Sequence, residues 1–481
     1  MNERPQRITL DDWDRRYAEL SAAGLCESAY GGPLRRHVDD GDRRLLRLRM
    51  DNSPAALRLW NFLLTEEQRL QQAKADGQKI VGTMKDLGTV PVMAYSLPNV
   101  VAFYPDGAWW IPCVMEQSAG LLAIADSLGI DDSFCPVRAM LGALVNEAHF
   151  PVPGLLTCSV GAVCDDVSAI AQRIADLGFP VFWWEVPHRR PPEPGEPAVR
   201  LPGGFVAPAS QVAVVRAELQ RVREALQSFA GQPLTDEALA AGIDRANQVR
   251  RLLGELRQLT FTARACPMPA LEMLIAEMLA LHFCSDQQET IGVLEDLLTE
   301  TRARVDAGQG VLAADAVRVF WVNPVADLRV MNLLEDVGGR ICGTEYLFCH
   351  ALDPIPDDLP PIEALARMVL ADPMVGSSAE RAERICTDAK RFGCEAVVIS
   401  RIPGASHCAV EGTVIGRIVR ERLGLPFVEI EVPPLTDAME PTIRTRLEAL
   451  VETARGRRDQ RRGTSGEGSG VGRPGGGGHH G

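Results

Sequence analysis

An α/β fold with two parallel-sheet halves, separated by an all-helical stretch, is what this chain predicts, and three observations carry the prediction. Short apolar runs alternate with amphipathic helical stretches from residue 79 to residue 186, and the alternation returns from 316 to 432. That rhythm marks β/α units with parallel strands. Between the two regions, residues 209 to 306 keep a helical apolar period with no strand signal. Hydrophobic residues make up 46% of the 481, ample for real cores, and the length suggests roughly three domains.

The first ~75 residues read as helical, because DDWDRRYAELSAAG and SPAALRLWNFLLTEEQRLQQAKA place apolar residues at helical spacing and carry no convincing strand signal. From Lys79 the runs KIVGTM, WWIPCVM, GLLTCSV and PVFWWEV read as strands, with SAGLLAIADSLG and DDVSAIAQRIADLG as intervening helices. The stretch PHRRPPEPGEPAVRLPGG, rich in Pro, Gly and charge, closes this region near residue 205. Helices then run to residue 306, and AVRVFWVNP, GRICGTEYLF, EAVVISRI and PFVEIEV restore the strand pattern. DLRVMNLLEDVG and SSAERAERICTDAKRF are helices among them, the second opened by a capping box of Ser377 with Glu380. After Gly456 the chain is Gly, Arg and Ser with few apolar residues, which predicts disorder. His479 and His480 fall in that tail and read as incidental, since a flexible tail does not preorganise a metal site. The expected divisions are therefore an N-terminal helical region at 1–75, a first α/β domain at 76–205, a helical segment at 206–310, a second α/β domain at 311–456 and a disordered tail at 457–481.

A net charge of −14 argues against nucleic acid or an anionic membrane as partner. The start MNERPQR is charged where a signal peptide needs an apolar core, and the most apolar helix, PALEMLIAEMLALHF, is interrupted by Glu272 and Glu277. A soluble cytoplasmic protein is expected. Twelve cysteines in such a setting are core residues and ligands rather than a disulfide framework. No GxxxxGK[ST], GxGxxG opening a βαβ unit, HExxH or GxSxG motif occurs, so ATP-derived energy, if used, comes from another chain.

Three cysteines share one setting: Cys135 in SFCPVRAMLGALV, Cys164 in VCDDVSAIAQRI and Cys408 in SHCAVEGTVIGRIV each stand where an apolar, strand-like run gives way to an amphipathic helix. A helix N-terminus stabilises a thiolate and lowers its pKa, which suits iron or zinc. In open α/β sheets that end of the strands is also where ligands collect. Pro136, and the pair Asp165 and Asp166, favour helix starts at the first two. The three are too far apart in sequence for a local knuckle, so only the fold can bring them together, at the carboxyl ends of strands facing across a cleft. Cys158, six residues before Cys164, competes for its place but lies within a strand-like run; Cys113, Cys284, Cys342, Cys349 and Cys386 are explained by packing.

FCPVR, then VCDD opening a helix, then a late cysteine followed by a helix and GLPFVEIEVPPLTDAMEPTIRTRLEALVE, resemble the 2-hydroxyacyl-CoA dehydratase and benzoyl-CoA reductase subunit family, as does AGIDRANQVRRLLGEL with Asn247 and Arg250. The resemblance covers roughly residues 75 to 455. It implies two flavodoxin-like domains around an iron–sulfur cluster held by Cys135, Cys164 and Cys408, an acyl-CoA substrate, and a separate ATP-hydrolysing iron–sulfur activator that supplies low-potential electrons. It also implies a homologous second subunit or a homodimer, and anaerobic metabolism. The cofactor would be a [4Fe–4S] cluster or the bridged double-cubane form, and the reaction a radical dehydration through a ketyl at the thioester. The chain departs from the family where a Pro-x-Glu helix start is common, reading PNVVAFYPDGAWW, and where an Asp follows the last strand, reading EIEVPP. Those departures keep a benzoyl-CoA-type or double-cubane-type reductase, and a non-catalytic cluster-binding subunit, as alternatives. Phe182, Trp183 and Trp184 are placed to wall a dry pocket and His188, Arg189 and Arg190 to meet CoA phosphates, although the first three also read as core and the last three as a solvated turn. His407, Glu116 and Glu345 are the acid–base candidates.

Overall fold

The computed structural model describes residues 4–25, 31–39, 43–84, 88–106, 118–282, 285–347, 351–406 and 410–466. A two-residue antiparallel pair, β1 (Arg7–Ile8) with β2 (Met50–Asp51), interrupts the N-terminal helices, where the apolar period signals none. The first sheet holds β3 (Lys79–Met84), β4 (Val100–Phe103), β5 (Leu155–Gly161) and β6 (Val181–Val186), all parallel, in the order β4-β3-β5-β6. A small antiparallel hairpin, β7 (Ala198–Arg200) and β8 (Val206–Pro208), follows within the Pro- and Gly-rich loop. The second sheet holds β9 (Val317–Val322), β10 (Gly339–Glu345), β11 (Ala396–Arg401) and β12 (Phe427–Glu431), again parallel, in the order β10-β9-β11-β12. The protein is thus an α/β fold of two flavodoxin-like parallel sheets with one strand order used twice.

The strands follow burial. β9 reads VRVFWV and β11 AVVISR, and nearly every residue of both is inside, as expected for central strands covered on two faces. The edge strands β6 and β12 are only half-buried. β4 was not legible as a strand, since four residues inside PNVVAFYP give too short a run to separate from a turn; the run WWIPCVM, read as a strand instead, lies outside the described residues. Helices Ala209–Ala230, Asp236–Thr262, Ala270–His282 and Gln287–Asp306 fill the stretch between the sheets without a strand. The capping box of Ser377 and Glu380 opens the helix Ser378–Arg391 with both reciprocal bonds made. The last helix, Glu440–Gly466, carries ten residues beyond the expected start of a disordered tail, so 457–466 is helical. Among the described residues no helix is long and apolar enough to cross a membrane.

In each half the chain leaves the first strand in one direction and returns to place the third strand on its other side. This reversal lies between β3 and β5, and between β9 and β11, and it opens a crevice at the carboxyl ends of those strands. In sequence, Cys164 follows β5 and Cys408 follows β11.

Candidate metal centre

Cys164 is the N-cap residue of the helix Asp165–Asp176, three residues past β5. Its own side chain caps nothing, and Ile170, Ala171 and Ile174 bury the helix on its sheet. The turn into it depends on Gly161, whose φ of 104° is unfavourable for other residues and whose missing Cβ leaves room for the Val186 carbonyl. Cys135 is the N-cap of a single 3-10 turn, Pro136–Arg138, which runs straight into the helix Ala139–Asn146. It does not follow a strand as expected. The helix Ser118–Ser127 and a turn tied by Asp131 to Ser133 precede it, so the apolar run before Cys135 is a loop and the cysteine is 8% exposed. The helix Asp165–Asp176 packs against the Pro136–Arg138 turn, which puts both helix starts in one neighbourhood.

The second half reaches this neighbourhood through the loop after β11. The amide of Ser406 donates to Asp166 Oδ2 at 2.8 Å, and Ser406 Oγ lies 3.8 Å from Cys164 Sγ. The Cys164 thiol also points at Asp166 Oδ2, 3.7 Å away. Gly404, at φ 80°, packs on the backbone just before Cys135, so closely that a Cβ would lie 2.6 Å from the Phe134 carbonyl oxygen. The loop that leads to Cys408 therefore touches both cysteine segments of the first half. Cys408 itself, with His407, lies outside the described residues, as does Glu116. Among the described residues no group of three His, Cys, Asp or Glu side chains is close enough to hold a metal ion. Two thiols at helix starts, flanked by the approach to a third, are nonetheless a donor set suited to iron–sulfur chemistry rather than to a hard cation.

A buried polar network fixes the second half of this seam. Arg381, 1% exposed, donates to Glu345 at the end of β10 through Nε at 2.8 Å, to Asn323 just past β9 at 2.5 Å and to Glu411, the residue before the helix Gly412–Leu423. Glu411 also accepts from Ser378 Oγ at 2.7 Å, and Glu345 accepts from the Leu347 amide. These carboxylates hold the guanidinium firmly charged despite burial. Glu345, an expected acid–base group, is thereby committed to Arg381. On the helix Asp236–Thr262, Asn247 exchanges two hydrogen bonds with the backbone of Ile355, and Arg250 donates to the carbonyls of Asp353 and Gly88. One helix face thus grips the loops that follow β3 and β10, and burial draws the Arg250 pKa down to about 10.

The proposed pocket wall and CoA-phosphate contacts do not survive as read. Trp184 is 1% exposed within the core, and Arg221 covers the Phe182 ring. Arg189 is buried over the Phe205 ring and donates to the carbonyls of Leu370 and Asp372, strapping the Pro-rich loop onto the second half. Arg190 makes a two-pronged pair with Glu196. Only His188 is exposed. Cys158 is fully buried inside β5, whereas Cys164 is half-buried at the seam. Burial pushes the thiols of Cys266, Cys342 and Cys394 up, Cys266 to about 12, as fits core residues. Cys342 lies in β10 and Cys386 in a helix, as expected; Cys113, Cys284 and Cys349 lie outside the described residues.

Sequence reasoning missed Asp166, Asn323, Arg381, Ser406 and Glu411. Arg381 left one trace, a charged residue on the stripe with Ala382, Ile385 and Ala389 that buries its helix.

Two parallel sheets of identical order, with Cys135 and Cys164 at helix starts on the seam, define a class of α/β proteins built from two flavodoxin-like halves. The family model described as 2-hydroxyglutaryl-CoA dehydratase, D-component, matches residues 97–454. The chain belongs to that family, and is accordingly a component of the 2-hydroxyacyl-CoA dehydratase type. Among curated proteins, none matches it.

Proposed function

We propose that Cys135, Cys164 and Cys408 together hold a [4Fe–4S] cluster and that the protein dehydrates a 2-hydroxyacyl-CoA with a low-potential electron. The observation that carries this reading is the contact of the loop before Cys408 with both other cysteine segments: Ser406 on Asp166 and Cys164, Gly404 on Phe134. Family membership supports the reaction type. Bound by three thiolates, such a cluster would leave one iron without a protein ligand, able to act as a Lewis acid or to pass one electron. The chain's own residues supply position. Asp166 aligns the loops, Arg381 holds the start of the helix after Cys408, and Asn247 with Arg250 hold the loops that frame the crevice.

The electron would come from an ATP-hydrolysing iron–sulfur activator, and a homologous second subunit or a second copy would complete a cytoplasmic assembly. A reductase of acyl-CoA or another small molecule is the second reading, favoured by β12 running into EVPP without the family's Asp. Iron and sulfide analysis after strictly anaerobic purification, with low-temperature electron paramagnetic resonance, tests the cluster. About four iron and four sulfide per chain with a cubane signal is expected, since one cubane has that composition. A metal-free, signal-less protein overturns the reading. Assay of 2-hydroxyacyl-CoA against unsubstituted unsaturated acyl-CoA then separates dehydratase from reductase.

A further inference from the structure

We propose that Asp166 is the positioning residue that registers the two halves, by bonding the first half's helix start to the loop that carries the second half's cysteine. Asp166 is the second residue of the helix Asp165–Asp176 and is 6% exposed. A carboxylate there is ordinarily explained by its own helix, whose free N–H groups and dipole favour negative charge. Here Oδ2 instead receives the amide of Ser406 from the other half at 2.8 Å, and the Cys164 thiol at 3.7 Å. Ser406 lies five residues past β11, so this bond ties the loop after β11 directly to the first half's helix start. Asp166 thus accepts from the other half's loop, across the seam.

A second contact makes the register strict. Gly404 meets the Phe134 carbonyl at a distance that no Cβ tolerates, and its φ of 80° is one that other residues rarely adopt. With Asp166 holding one side of the loop and Phe134 bounding the other, the Ser406 segment has one seat between the two first-half cysteines. Losing the carboxylate removes a charge-assisted bond across the seam, while the remaining surfaces stay in place.

The test uses the full metal-free chain, so that its first arm is independent of the cluster. Amide exchange at Ser406, read by mass spectrometry with residue-level fragmentation, should be about ten-fold or more faster in Asp166→Ala. It should stay near wild type in Asp166→Asn, whose side-chain oxygen still accepts. Gly404→Ala serves if Asp166→Ala does not fold, since it displaces the same loop and should raise the same exchange rate. The second arm rests on the reading given above: after anaerobic reconstitution, Asp166→Ala should take up several-fold less iron than wild type and Asp166→Asn a near-normal amount. A wild type without iron would overturn the cluster and leave the exchange arm to decide Asp166. Unchanged Ser406 exchange in a folded Asp166→Ala, or in Gly404→Ala where that variant must serve, overturns the proposal.

Discussion

Cysteine residues in this chain divide by their surroundings. Cys266, Cys342 and Cys394 sit where burial holds the thiol neutral, and a neutral thiol is a poor metal ligand. Cys135 and Cys164 instead head helical turns at a seam between halves. If these two and Cys408 are the only protein bonds to a cluster, each replacement by Ser should strip most of the iron, whereas Cys386→Ser, on a helix of the second half, should leave it intact. Iron per chain after anaerobic reconstitution measures this, and full iron in one of the three variants removes that residue from the site. Arg381 allows a separate prediction that needs no cofactor. Because it pairs with Glu345 and Glu411 at once inside the protein, Arg381→Met should cost about 3–5 kcal/mol in chemical denaturation, the penalty of leaving buried carboxylates without their cation. A loss below about 1 kcal/mol, as for a surface pair, would mean that those carboxylates reach water.

At the scale of elements, legibility followed run length and burial. β3, β5, β9, β10 and β11 stand out because apolar runs are the direct imprint of a well-buried strand, while β6 and β12, half-buried at the sheet edges, are read from the length of their runs. β4 is too short to leave that imprint, and Cys135 was misplaced because the segment before it, GIDDSF, buries only Ile130 and turns at the surface instead of forming a strand. Arg189 was misjudged for a related reason: charge in a Pro-rich segment suggests solvent, as holds for Arg190, and only the three-dimensional packing reveals the Arg189 strap over Phe205. The helix Ala270–His282 shows the same limit in reverse. Its Glu272 looked like a break in an apolar helix, yet it is fully buried, accepting from the Asp51 amide at 2.8 Å and Trp60 Nε1 at 3.1 Å near the Asp51–Arg304 pair and Glu300. Burial, with the nearby Asp51, raises its pKa from 4.5 to about 8. The folded state therefore keeps a proton that the unfolded chain releases near 4.5, so this stability is complete below that value and is lost as pH rises through about 8. Glu272→Gln keeps the acceptor oxygen and removes the titration. It should melt close to wild type near pH 5 and several degrees above it near pH 8, where the wild type is short of that stability. A wild-type melting temperature that falls no more than the variant's between those two pH values would show that the carboxyl is not held neutral.

Across the whole molecule, the two halves repeat one strand order, and the repeat places Cys164 and Cys408 after corresponding strands. That much could be suspected from the alternation of runs and helices. The bond that joins the halves could not, because Asp166 and Ser406 are 240 residues apart and nothing in either segment signals that the two meet. A site assembled this way has consequences for how it is driven. The chain carries no GxxxxGK[ST] phosphate-binding motif, and the proposed function has an ATP-hydrolysing partner lower the electron's potential. If the reaction removes a hydroxyl and a non-acidic proton by way of a one-electron step, the electron has to arrive from outside before any substrate turns over. The purified protein, oxidised and without reductant, should therefore leave a 2-hydroxyacyl-CoA unchanged. A strong chemical reductant, or an ATP-hydrolysing iron–sulfur activator with ATP, should start turnover. If the electron returns at the end of each cycle, one priming event should serve many turnovers, and product formed per electron supplied would exceed one. Steady dehydration under oxidising conditions with no donor ever added would rule out the electron-driven mechanism and leave a conventional acid–base elimination to be explained by other residues.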